Sequence, residues 1–197
     1  MRKIKVILMS VLLALFIAGC SSGTSAEFFE SGSQISGKTE QSDSGMEVHF
    51  IDVGQGDATL IKAGDHAMLI DAGDNSEGTA VQSYLNSQGI EKLDYVIGTH
   101  PDADHISGLE ELLEQGYPVH RLLLAKALSE DSSCQKLAEL AKKQGTSVSY
   151  VDTGDTLHLK EMTLQCLYPD ADETAADCNG LSQVWELRSH AFSMLFT

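Results

Sequence analysis

Thr99-His-Pro-Asp-Ala-Asp-His105 brings four potential metal ligands, His100, Asp102, Asp104 and His105, onto one short segment. Imidazole nitrogens and carboxylate oxygens both bind divalent cations, at ~2.0–2.2 Å for zinc. Alternate placement on a tight loop lets one pair face one ion and the other pair a second, a dinuclear arrangement. The plainer alternative is a solvated acidic loop with two surface histidines. Acidic loops are common, but this density of ligands between a strand and a helix is not, so metal binding is the favoured reading.

The neighbouring pattern supplies the elements that must hold such a loop. Leu93 to Thr99 (LDYVIGT) reads as a buried strand ending at it, and Ile106, Leu109, Leu112 and Leu113 form the apolar stripe of a helix that follows. Upstream, Met46 to Asp52 alternates as a strand. Val53-Gly-Gln-Gly-Asp57 is a turn, and Ala58 to Lys62 and Ala67 to Asp71 are strands joined at Gly64-Asp65. Val81, Tyr84 and Leu85 carry helical spacing. Downstream, Val119 to Ala125 is a strand, and Cys134, Leu137, Leu140 and Ala141 mark a third helix. Ser147 to Val151, Met162 to Tyr168, Val184 to Arg188 and Phe192 to Phe196 alternate as β. Hairpins followed by interleaved helices and strands predict a mixed α/β layered domain over residues 46–197.

The first 45 residues read differently. Arg2, Lys3 and Lys5 precede an apolar run from Val6 to Ala18, which has the length of a signal-peptide core and is short for a membrane span of ~20 residues. It ends in Ile17-Ala-Gly-Cys20, which resembles the bacterial lipobox, with Cys20 the lipidated residue. An ordinary signal peptide with a chance cysteine is the alternative. Residues 1–20 are therefore expected to be a lipoprotein signal peptide. Residues 21–45, rich in Ser, Gly, Thr, Gln and Glu, are expected to be a flexible tether reaching about 28 Å. The expected location is extracytoplasmic, anchored by lipid to the cell membrane. Of the remaining cysteines, Cys134 and Cys166 fall on apolar faces, and the odd count of three with Cys178 argues against a disulfide framework.

The formal net charge of the 197-residue chain is −16, from 13 basic and 29 acidic residues. Without the signal segment, which holds three of the bases and no acid, it becomes about −19. Such a surface repels nucleic acid, and Lys126 and Lys142-Lys143 are too scattered to form a basic patch. An anionic substrate therefore needs a local positive centre, such as bound metal.

His100-Pro-Asp-Ala-Asp-His105 followed by Ile106-Ser-Gly-Leu109 resembles the metal-binding motif of metallo-β-lactamase-fold hydrolases, with Asp102 where the common form has His. With His49-Phe-Ile-Asp-Val-Gly-Gln-Gly-Asp-Ala58 upstream and Leu69-Ile-Asp-Ala-Gly73 between, the chain from about Glu47 is similar to the extracytoplasmic hydrolase domain of ComEC-type DNA-uptake proteins and their lipoprotein relatives. The resemblance implies an αββα sandwich. It implies that His100 and Asp102 ligate a first metal and Asp104 and His105 a second, both zinc, with manganese the alternative. It further implies that Asp104 positions the attacking hydroxide, and that Asp71 holds the loop and orients a histidine. Asp52 and Asp57 would lie at the site's mouth, with turn capping the competing role. Asn179 and Ser182 resemble the Asn and Ser that precede the next strand in the family, although Gly180 and Leu181 replace the usual polar pair.

Phe192-Ser-Met-Leu-Phe-Thr197 looks like the strand that family members follow with Gly-Asp, the Asp bridging both metals, and later with a histidine-bearing loop. The domain is accordingly expected to be incomplete at its C-terminus. The expected function is a phosphodiesterase or nuclease at the outer face of the membrane, with DNA one substrate. Hydrolysis of a surface polymer such as teichoic-acid phosphodiesters is a second reading. A truncated, non-catalytic lipoprotein is a third.

Overall fold

The computed structural model describes residues 45–190 and 192–197. The expected signal peptide, Cys20 and nearly all of the expected tether lie outside them. No helix among the described residues is long and apolar enough to cross a membrane.

Strands β1 (Met46–Phe50), β2 (Thr59–Ala63), β3 (His66–Ile70), β4 (Leu93–Gly98), β5 (Val119–Ala125) and β6 (Ser147–Val151) form one sheet in that order. The first three run antiparallel as a meander, and β3 through β6 run parallel. Helices α1 (Gly78–Ser87), α2 (Ala103–Glu114) and α3 (Ser132–Lys143) supply the connections between the parallel strands. Strands β7 (Thr156–Leu159), β8 (Met162–Tyr168), β9 (Val184–Arg188) and β10 (Ser193–Phe196) form a second, antiparallel sheet.

Alternation sorts the side chains into two cores. On β5, Leu122 and Leu124 face the helices while Leu123 faces the second sheet. That double burial explains why the strand reads as a continuous apolar run. The helical core joins Val81 and Leu85, Ile106 and Leu109, and Cys134 and Leu137 to Leu60, Leu69 and Val96. The inter-sheet core packs Ile61, Met68 and Ile97 against Leu164, Trp185 and Leu187. Each such side chain stabilises the fold by roughly 1.5–3 kcal/mol. The described residues therefore build helices, sheet and sheet; the fourth, helical layer of an αββα sandwich is not among them.

Cys134 and Cys166 are buried free thiols. Burial pushes them up to about 12 and about 11 respectively, so they remain neutral packing groups. Strand β7 escapes the sequence pattern because its four residues, Thr-Leu-His-Leu, give too short an alternation to register. The parallel strands point their C-terminal ends, Ile70 and Gly98 among them, toward one edge of the molecule. In open α/β sheets this is the edge where ligands bind.

Candidate metal centre

The site is built from the loops leaving β3 and β4. Asp71 follows β3 directly, is 2% exposed, and has φ 55°, a left-handed conformation rare for a residue with a side chain. Its backbone N–H donates to Ile97 O at 2.9 Å, tying the ends of β3 and β4 together. Its carboxylate accepts three hydrogen bonds: Thr99 N–H at 2.9 Å, the Thr99 hydroxyl at 2.6 Å and His105 Nδ1 at 2.9 Å. Burial pushes the Asp71 carboxyl upward, opposed by the His105 and Thr99 hydrogen bonds, and the same contact with Asp71 raises His105.

This arrangement fixes both imidazoles. The Thr99 hydroxyl has one proton and gives it to Asp71, so toward His100 Nδ1, 3.0 Å away, it can only accept. His100 therefore carries its proton on Nδ1 and leaves Nε2 as a bare lone pair. His105 donates through Nδ1 to Asp71, so its Nε2 is the nitrogen that is bare whenever the ring is neutral. The two rings lie 4.0 Å apart between centroids. Burial, helped by the nearby His105, keeps His100 below its usual range and hence neutral.

Asp102 and Asp104 supply the two carboxylates of the loop. Asp102 Oδ2 is 3.7 Å from His100 Nε2, and its two oxygens accept from the Cys178 thiol at 2.8 Å and the Asn179 amide at 2.9 Å. Those donors hold the Asp102 carboxyl below its usual range, the Cys178 thiol contributing most. In turn the carboxylate raises Cys178, which stays a protonated donor. Asp104 Oδ2 faces Gln55 Nε2 at 3.4 Å.

Close backbone approaches keep the loops in place. At Gly56 (φ 99°) a Cβ would sit 1.8 Å from Asp104 O, and at Gly108 one would sit 2.0 Å from Ala72 O. Only glycine lets the 53–57 turn and helix α2 come this near. Backbone bonds from Ala72 N–H to His105 O and from Gly108 N–H to Gly73 O, both 2.9 Å, close the same seam. From the other sheet, Gln183 donates to Thr99 O and Gly98 O, and its carbonyl accepts from Trp185 Nε1.

Residues 51–127 match the Metallo-beta-lactamase superfamily. Over those residues the chain is similar to that superfamily of hydrolases, and its fold is a metallo-beta-lactamase fold. The chain is 31% identical over 157 residues to ComE operon protein 3 of Bacillus subtilis, covering 71% of this chain and 20% of that protein. It thus spans about a fifth of that relative's length. Among solved structures, a metallo-beta-lactamase HARLDQ-motif mutant from Cronobacter sakazakii superposes with TM-score 0.57 at 15% identity, over 76% of this chain and 58% of that one. The metallo-beta-lactamase fold protein YhfI of Bacillus subtilis gives 0.51 at 18% identity, over 73% and 55%.

Metallo-β-lactamase-fold proteins generally hold divalent metal, and one atom here tests the fit. His100 Nε2 is buried without a hydrogen-bond partner, on a side chain 4% exposed. An orphaned buried nitrogen costs about 1–3 kcal/mol, which metal coordination would relieve. The donor set fits. The four ligand candidates share one loop, but no three donors are gathered into a shell among the described residues. Their carboxylates bond to the neutral donors Cys178, Asn179 and Gln55 instead. Asp52 is exposed and caps its own turn, accepting from Gly54 N–H at 3.1 Å. Asp57 is exposed and borders, with Asp71 and Thr99, a cavity of about 210 Å³. A larger cavity of about 520 Å³ lies around Lys62 and Lys92, at the opposite ends of the strands and away from these ligands.

Thr99, Gln55 and Gln183 went unnoticed in the sequence. Thr99 was the most accessible, as a hydroxyl directly before His100. The others reach the site across 49 and 85 residues and leave no local signal.

Proposed function

We propose that this domain is a metal-dependent phosphodiesterase or nuclease working at the outer face of the cell membrane, as the kinship with ComE operon protein 3 suggests. The observation that carries the reading is the buried, unpartnered Nε2 of His100, 3.7 Å from an Asp102 oxygen and beside the His105 ring. His100 with Asp102, and Asp104 with His105, would hold two divalent ions, zinc or manganese. When bound, the ions supply Lewis acidity toward a phosphoryl oxygen and lower the pKa of water to near 7, about 9 units below bulk.

The chain's own residues do the positioning. Asp71 and Thr99 keep the protons of His100 and His105 on Nδ1, and Gln55 steadies Asp104, whose free oxygen orients the attacking water. The Gly56 turn lets the upper loop close over the start of α2. The net charge of −16 favours a reading in which the ions, not the surface, attract the substrate. A second reading is hydrolysis of a cell-surface polymer such as teichoic-acid phosphodiesters, a polyanion that needs the same ions to offset the protein's charge. A third reading is a non-catalytic lipoprotein, since no three donors close into a shell among the described residues.

The test is hydrolysis of bis(nitrophenyl) phosphate, single-stranded DNA and teichoic acid by the full chain, with chelator and with added zinc or manganese. Turnover that chelator removes and metal restores is expected. No turnover of any of the three under any metal would leave the non-catalytic reading. For the membrane location, Cys20→Ala is expected to move the processed protein from the membrane to the soluble fraction, because Val6 to Ala18 is too short to span. Retention in the membrane after signal removal would contradict the lipid anchor.

A further inference from the structure

We propose that Cys178, with Asn179, is a positioning residue of the metal centre, holding the Asp102 carboxylate off its own helix and turned toward His100 Nε2. The inference rests on the metal-hydrolase reading of the same site.

Asp102 is the N-cap residue of α2, with φ −65° and ψ 143°. From that position an aspartate ordinarily accepts hydrogen bonds from the free N–H groups of the first turn. Asp102 makes none. Asp131 offers an internal comparison, because it caps α3 with nearly the same angles, φ −66° and ψ 135°. Its carboxylate accepts from Ser133 N–H at 2.8 Å and Cys134 N–H at 3.1 Å. Two aspartates in one backbone position make opposite choices, and the difference lies in their partners. The Cys178 thiol takes Asp102 Oδ1 and the Asn179 amide takes Oδ2.

Forgoing the cap is unfavourable, and those two donors offset the loss. What the exchange achieves is orientation. Asp102 Oδ2 is left 3.7 Å from His100 Nε2, the buried nitrogen that has no protein partner. A carboxylate oxygen has two lone pairs, so the Asn179 bond leaves one on Oδ2 for an ion. The thiol sits on the other oxygen and does not compete. Cys178 and Asn179 begin the short 3-10 turn Asn179–Leu181 that leads toward β9. The approach to the second sheet thereby sets a ligand on the first.

The test is zinc titration of the full chain by calorimetry, with metal-free melting curves, for wild type, Cys178→Ala, Cys178→Ser and Asn179→Ala. Loss of an outer hydrogen-bond partner typically weakens metal binding about 10–100-fold, and that loss is expected for Cys178→Ala. Cys178→Ser should recover most of it, since a hydroxyl still donates to Asp102, and metal-free melting should hardly move. The cobalt-loaded protein should lack a thiolate-to-metal charge-transfer band. Unchanged zinc affinity in Cys178→Ala overturns the role while leaving the hydrolase reading intact. A thiolate band overturns it differently, making Cys178 a ligand. If wild type binds no zinc, both the reading and the inference fall.

Discussion

His100→Ala is expected to abolish zinc uptake and phosphodiester hydrolysis while changing the metal-free stability little. The two effects separate because Nε2 contributes nothing to the metal-free fold, being buried without a partner. Removing it relieves about 1–3 kcal/mol of unsatisfied polarity, against a cavity cost of about 2–4 kcal/mol for the lost ring. The net loss is on the order of 1 kcal/mol. Wild type in zinc at a hundredfold excess over Kd gains about 2.7 kcal/mol, and the variant should gain none of it. Melting curves with zinc and with chelator, run beside turnover, measure both quantities. Asp104→Ala should lose hydrolysis in the same way. A zinc-dependent rise in Tm that survives in His100→Ala would mean that the ion binds elsewhere.

The loop that carries His100, Asp102, Asp104 and His105 was legible in the sequence because the four candidates fall within six residues. A strand, a loop and a helix start lie in one stretch, so chemistry and position were read together. The two cores were legible for a related reason, since Leu122 to Leu124 and the Ile106 stripe declare their faces by period alone. Asp71 was reachable only through the family resemblance, its three bonds being made to residues 28 and 34 positions away. The hydrogen bond from Cys178 to Asp102 was not reachable at all. Nothing around Asp-Cys-Asn-Gly announces a contact with a carboxylate 76 residues upstream. Local period encodes which face a residue occupies, whereas the pairing of loops depends on sheet register and on how the second sheet packs. The left-handed backbone at Asp71 was invisible for the same reason, because a strained angle is imposed by the surroundings and not by the residue.

That strained, buried aspartate is also where the largest loss of stability is expected. Asp71→Ala should destabilise the fold by several kcal/mol, because each buried donor left without its acceptor costs about 1–3 kcal/mol. Three donors would be left without their acceptor: Thr99 N–H, the Thr99 hydroxyl and His105 Nδ1. Alanine also holds φ 55° poorly, adding about 1–2 kcal/mol, whereas asparagine visits that region readily. Asp71→Asn therefore isolates the second role of the residue. Its amide oxygen can still accept from Thr99 N–H, so the fold should lose only about 1–2 kcal/mol. Its NH₂, however, points where an acceptor stood. The Thr99 hydroxyl must then accept from it, and His105 must turn Nδ1 into an acceptor and carry its proton on Nε2. That proton occupies the lone pair meant for metal, so zinc binding should fall about 10–100-fold despite a nearly intact fold. Urea midpoints of the metal-free variants and zinc titrations of the same samples measure the two effects separately. If Asp71→Asn binds zinc as tightly as wild type, Asp71 does not set the histidine tautomers, and its burial serves the fold alone.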